Sequence, residues 1–137
     1  MKLVLDADVV IGALDGSDPH HAEAREVFTA WEEEDAARLI SVVNLTEVLV
    51  APARDKQRLR RAREAIAALD VAVHEAGEAI AVEAARLRGS HPISLPDAYC
   101  LATARRTGAS VASFDEKVIR AAEAERIGSP AESRGER

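Results

Sequence analysis

Cysteine is almost missing from this 137-residue chain. Cys100 stands alone, so no intramolecular disulfide can form and a reducing compartment is expected. It falls within a predicted helix and reads as buried filler. Aromatic residues are nearly as scarce: Trp31, Tyr99, Phe28 and Phe114 are the whole set, so small aliphatic side chains must pack most of the core. No stretch approaches the roughly eighteen apolar residues of a membrane helix. Asp6 and Asp8 interrupt any apolar segment near the start that could serve as a signal peptide. The expectation is a soluble, cytoplasmic protein with no membrane partner. Positive charge is also short. Lys and Arg number 18 against 24 Asp and Glu, a net charge of −6, which argues against passive, charge-driven binding of nucleic acid. His20, His21 and His91 show no metal-binding spacing and read as surface residues.

The length suits one domain, able to bury roughly two-thirds of its unfolded surface without disulfide or metal. We expect that domain over 1–127. Residues 128–137, Gly-Ser-Pro-Ala-Glu-Ser-Arg-Gly-Glu-Arg, have almost nothing to bury and are expected to be a disordered tail.

What the chain does contain is an alternation of short apolar runs and helical periods. Leu3-Val4-Leu5 reads as a strand buried on both faces. Ala7, Val10, Ile11 and Leu14 then recur at helical spacing. Asp6 stands between them, where it can cap the helix or line the crevice in which open α/β sheets bind ligands. A helix is predicted over about 20–34, then a strand at Arg38-Leu39-Ile40. Ser41 caps a helix from 42 to about 51 that carries Glu47 and is ended by Pro52. Glu47 either points to solvent or joins a site. A helix to about 69 follows, with Leu59, Ala62, Ile66 and Leu69 inward. Val71-Ala72-Val73 is a third strand, and the helix after it, 76–88, turns Ile80, Ala84 and Leu87 inward. Ser94 and Asp97 have capping-box spacing at the head of a helix to about 107, closed by Gly108. A fourth strand spans 109–113. Asp115 follows it and opens the helix 116–125, with Val118, Ile119 and Ala122 inward. Ser113 and Glu116 again have capping-box spacing.

Strands alternating with helices predict a three-layer α/β/α sandwich around a parallel sheet of four to five strands. In such a sheet all strand C-termini share one edge, so Asp6, Glu47, Asp97 and Asp115 can converge there. Two unit charges about 4 Å apart repel by about 4 kcal/mol at an effective dielectric near 20, so several such pairs need a proton or a cation. An all-oxygen donor set selects Mg²⁺ or Mn²⁺, ions that stabilise phosphoryl charge and activate water. Arg54, Lys56, Arg58, Arg60, Arg61 and Arg63 form a basic block that is either a solvated helix face or a phosphate-attracting patch.

Val4-Leu5-Asp6-Ala7-Asp8-Val9-Val10-Ile11, Ser41-Val42-Val43-Asn44-Leu45-Thr46-Glu47-Val48-Leu49, Leu95-Pro96-Asp97-Ala98 and Ser113-Phe114-Asp115 resemble, in order, the successive motifs of PIN-domain ribonucleases. The compact length is similar to that of the toxin half of VapBC toxin–antitoxin pairs. The resemblance implies a Mg²⁺- or Mn²⁺-dependent endoribonuclease. Asp6, Glu47, Asp97 and Asp115 would be its catalytic, metal-binding acids, with Asp8, Ser113 and Asn44 in support. It also implies a homodimer, and a cognate antitoxin whose C-terminal segment fills the active-site groove. Arg54, Lys56, Arg58 and Arg61, with Arg86, Arg88, Arg105 and Arg106 behind them, would draw in the RNA backbone. Two departures stand out: Asp8 replaces the family's usual Ser, Thr or Asn, and Glu116-Lys117-Val118 lacks the aromatic often found after the last acid. Arg126-Ile127 is the one trace of a fifth strand. The alternatives are a Mg²⁺-dependent haloacid-dehalogenase-like phosphatase, suggested by Asp6-Ala7-Asp8 after a strand, and a non-catalytic PIN-like binding module whose acids are all helix caps.

Overall fold

The computed structural model describes residues 1–130. Four parallel strands, β1 (Lys2–Leu5), β2 (Ala37–Ser41), β3 (Val71–His74) and β4 (Ser110–Ala112), form one sheet in the order β3-β2-β1-β4. The chain builds outward from β1 through β2 to β3, then returns to lay β4 on the other side of β1. The gap between β1 and β4 is therefore the topological switch point of the sheet.

Side chains alternate across the strands and feed two cores. Leu3, Leu5 and Ile40 pack on one face with α1 (Ala7–Leu14), α2 (His21–Glu33), α3 (Val42–Leu49) and α4 (Lys56–Ala68). Val4 and Val111 pack on the other with α5 (Glu78–Ser90), α6 (Leu95–Thr107) and α7 (Glu116–Ala124). This is the expected three-layer sandwich. The expected fifth strand does not form. Arg126 turns the chain in the left-handed region (φ 60°), although the Gly128 carbonyl still accepts one bond from Val111 N at 2.9 Å. Of the expected tail, 131–137 lies outside the described residues.

Local departures from the expected elements have simple causes. α3 stops at Leu49, and Pro52, lacking an N–H, begins a 3₁₀ turn (Pro52–Arg54). On α7, Ala121 takes the inward place expected of Ile119, which stays 37% exposed. Arg38, within the second strand, is buried beneath the sheet. Its Nε donates to Leu69 O and its Nη1 to Ala36 O, satisfying carbonyls that end α4 and precede β2. His91, expected on the surface, is half-buried with Nε2 2.6 Å from Glu125 Oε2. Glu125 also meets Arg86 at 2.8 Å and Arg105 at 2.9 Å, a network that ties α5 and α6 to the end of α7.

α1 and α2 pack closely at Gly12, where an added Cβ would lie 3.1 Å from Ala24 Cβ. Gly12→Val should therefore destabilise the fold by on the order of 2 kcal/mol, through overpacking. The urea midpoint checks this, and an unchanged midpoint would show that the two helices separate freely.

Candidate functional site

Asp6 ends the central strand. Its backbone N–H donates to Ala112 O at 2.9 Å, which locks it against β4. Its Oδ1 accepts from Ala7 N at 2.8 Å, the helix-cap role, and its Oδ2 accepts from the Ser113 hydroxyl at 2.7 Å. Asp6 is only 4% exposed. Burial away from water, reinforced by the Asp8 charge, pushes its carboxyl up to about 7 against the pull of the Ser113 bond.

Ser113 joins two strand ends. While its hydroxyl donates to Asp6, its oxygen accepts from Asp115 N at 3.0 Å. The capping box expected between Ser113 and Glu116 is absent for that reason. Asp115 itself caps α7, accepting from Lys117 N at 2.8 Å. Asp8 reaches the same turn, its Oδ2 accepting from Phe114 N at 3.0 Å while its Oδ1 is buried without a partner. Burial pushes Asp8 up to about 6, the Phe114 bond opposes this, and Asp115 adds to it.

The other two acids meet through Asn44. This fully buried side chain donates from Nδ2 to Glu47 Oε1 at 3.0 Å and to Pro96 O at 3.1 Å. It thereby ties Glu47 on α3 to the residue before Asp97. Its Oδ1 is another buried acceptor without a partner. Asp97 closes the expected capping box with Ser94 at 3.2 Å in both directions. Partial burial raises the Glu47 carboxyl, Asn44 lowers it, and Asp97 raises it again. The Cys100 thiol lies beneath, pushed well up by burial and then by Asp6, Asp97, Asp8 and Glu47 together. Asp6, Asp8, Glu47 and Asp97 thus share one electrostatic neighbourhood, which Asp115 adjoins through Asp8.

Among the described residues no salt bridge reaches any of these acids. Nor are three acidic, histidine or cysteine side chains drawn together closely enough to cage an ion as they stand. The donor set fits a hard divalent cation all the same. It is all oxygen, it carries buried carboxylates that no salt bridge reaches among the described residues, and it holds two orphaned buried oxygens. Asp6, Asp97, Asp115 and Glu47 are the residues that would hold such an ion, with Asp8 Oδ1 beside them.

The basic block divides. Arg58 and Arg61 line, with Ile11, Leu14, Glu47 and Val48, a groove of about 490 Å³. Lys56, Arg60 and Arg63 line a separate hollow, and Arg54 is exposed in the 3₁₀ turn. Two of the more distant arginines are engaged away from the acids. Arg86 and Arg105 are paired with Glu83 and Glu125, and Arg105 lies eight residues, about 12 Å of helix, beyond Asp97. Sequence reasoning missed the pairing of His20 with Phe114, whose rings stack at 4.5 Å beside Asp8. Only the place of Phe114 between Ser113 and Asp115 hinted at it.

A family model described as PIN domain matches residues 3–124. No curated protein matches the chain closely enough in sequence to count as a relative. Among solved structures, VapC20 of Mycobacterium tuberculosis, described as a sarcin–ricin loop cleaving toxin, is 17% identical with a TM-score of 0.70, covering 87% of this chain and 94% of that one. A toxin–antitoxin complex from Klebsiella pneumoniae is 24% identical with a TM-score of 0.70, covering 85% and 89%. VapBC-1 from nontypeable Haemophilus influenzae is 13% identical with a TM-score of 0.70, covering 94% and 96%. At these identities the likeness is one of fold.

Without metal, Asp6 and Asp8 bind protons more tightly in the folded than in the unfolded chain. Stability should therefore fall as pH rises from the ordinary value of 3.8 to about 7. Thermal melts in EDTA across that interval check the sign. Asp6→Asn should flatten much of the slope and raise the midpoint at neutral pH. A wild-type midpoint that climbs throughout the interval would contradict the buried, unpaired carboxylate.

Proposed function

The chain belongs to the PIN domain family, and on that premise we propose that it is a Mg²⁺- or Mn²⁺-dependent endoribonuclease, the toxin of a toxin–antitoxin pair. One observation carries the reading: a buried carboxylate, Asp6, sits at the switch point of the sheet with other acids around it and no cationic side chain among the described residues to balance it. A cap alone needs no such burial. The pairing of Asp6-Ala7-Asp8 that suggested a phosphatase is better explained here, because Asp8 is engaged by the Phe114 backbone in holding the β4–α7 turn.

Asp6, Asp97, Asp115 and Glu47 would bind the ion. When bound, a divalent cation supplies Lewis-acid stabilisation of phosphoryl charge and activation of water. The chain's own residues do the positioning. Ala7 N and the Ser113 hydroxyl hold the two Asp6 oxygens in orientation, and Asp8 fixes the turn that carries Ser113 and Asp115. Asn44 sets Glu47 against the head of α6. Arg58 and Arg61 draw the RNA backbone towards the acids. The structural neighbours supply the partners of this reading. A toxin of this fold cleaves the sarcin–ricin loop, which supports structured RNA as substrate. Neighbours in toxin–antitoxin complexes support a cognate antitoxin, for which the groove beside Glu47 is the natural seat. The reading also takes the chain as a homodimer.

The test is cleavage of structured RNA by the purified chain. EDTA should abolish it, and Asp6→Asn should lower it at least about a hundredfold without loss of fold. Magnesium at about a hundred times its dissociation constant should stabilise the protein by about 2.7 kcal/mol. Full activity in EDTA would remove the metal from the mechanism. Hydrolysis of phosphoserine without RNA cleavage would favour the phosphatase, and neither activity would leave a binding module.

A further inference from the structure

His20 and Phe114 form a ring pair beside Asp8, at the edge of the acidic site. Phe28 and Trp31 pack edge to face inside the sandwich, and Tyr99 is partly buried against the α5–α7 core. Phe114 is partly buried against the α1–α4 core. It sits between Ser113 and Asp115, and its N–H is held by Asp8 Oδ2, so its ring is anchored to the site itself. His20 lies on it nearly parallel, with centroids 4.5 Å apart and 19° between planes.

His20 is exposed at the start of α2. Its backbone is fixed by the bond from its N–H to Asp18 Oδ1 at 2.8 Å, yet its side chain caps nothing. Neighbouring His21 is engaged with Gly12 O at 2.8 Å, whereas the ring nitrogens of His20 make no hydrogen bond among the described residues. The imidazole therefore presents a pre-oriented flat surface to solvent, backed by Phe114 and adjoining Asp8.

We propose that His20, backed by Phe114, is a stacking platform for a nucleobase of the substrate RNA. The proposal rests on the ribonuclease reading and extends it. A negatively charged site gains nothing from charge when it approaches RNA, so the contacts that seat a strand beside the acids must come from elsewhere. Arginines on α4 can hold phosphates. An aromatic face can hold a base, in a sequence-tolerant way because every base has a π-face. Unstacked bases of loops and single strands are the form such a face accepts.

The experiment measures binding by the full chain carrying Asp6→Asn, to silence cleavage, with Mg²⁺ present. The probes are a labelled twelve-residue oligoadenylate and the same ribose-phosphate backbone without bases. His20→Ala should weaken oligoadenylate binding between about fivefold and about a hundredfold, the usual range for one stacked base. It should leave the baseless backbone unaffected, and His20→Phe should restore oligoadenylate binding. Equal binding of oligoadenylate with and without the His20→Ala substitution overturns the platform, as does an equal loss for both probes, which would mark a contact with backbone or a disturbed fold. Circular dichroism melts of the same variants separate those last two causes. If native protein cuts RNA while His20 makes no difference, the platform alone fails. If no variant binds oligoadenylate and native protein cuts no RNA, the ribonuclease reading fails with it.

Discussion

A carboxylate removed from water at the end of the central strand is the constraint from which the rest of this structure follows. Asp6 cannot leave its place without breaking the bond from its own backbone to Ala112, which registers β1 against β4. Nor is it neutralised by the chain, since no basic side chain among the described residues pairs with it. The fold tolerates it through two donors, Ala7 N and the Ser113 hydroxyl, while burial and like charges keep it reluctant to ionise. Such groups are retained where they do chemistry and are costly where they do not.

The neighbouring polar bonds make sense as consequences. Ser113 touches Asp6 and Asp115 N, Asp8 touches Phe114 N, and Asn44 touches Glu47 and Pro96 O. Each bond joins chain segments that are far apart in sequence or holds one acid relative to another. A cation-binding set must be rigid enough that its members do not relax away from one another, since mutual repulsion drives them apart. Backbone-anchored bonds to Ser, Asn and Asp supply that rigidity without adding a competing positive charge. The two orphaned oxygens, Asp8 Oδ1 and Asn44 Oδ1, are where this scaffold leaves acceptor capacity unfilled.

How much of this is legible in the sequence depends on the kind of signal. Apolar runs and helical periods locate the strands and helices, because strands buried on both faces leave no other place for Leu3-Val4-Leu5. The nearness of Asp6 to Asp115 follows from parallel topology, since strand C-termini share an edge, whereas Glu47 lies inside α3 and Asp97 heads a helix that follows another helix. Partnership across that edge does not follow. Ser113 reads as a helix cap by spacing, yet its hydroxyl donates to Asp6, 107 residues earlier. His91 looks like a loop histidine until the end of α7 brings Glu125 against it. Arg38 sits in an apolar triplet, and only the packing of α4 on the sheet shows which carbonyls it serves. Local pattern fixes elements, whereas long-range polar pairs depend on distances that no spacing encodes.

Charge segregation reconciles a net charge of −6 with the RNA substrate proposed above. Not every arginine counts. Arg86 and Arg105 are held by Glu83 and Glu125, and the bonds from Arg86 and His91 keep Glu125 down at about 2, so that network stays ionised and contributes structure rather than attraction. Arg38 is buried under the sheet. Arg58 and Arg61, on the wall of the groove that Glu47 also lines, are placed to meet a phosphate. Within a Debye length of about 8 Å at physiological salt, such a local pair matters more than the sum over the chain. On the proposed reading the acids would act on a strand already held at a distance, and the same negative field that repels a bare phosphate favours a species able to bridge the two, a divalent cation.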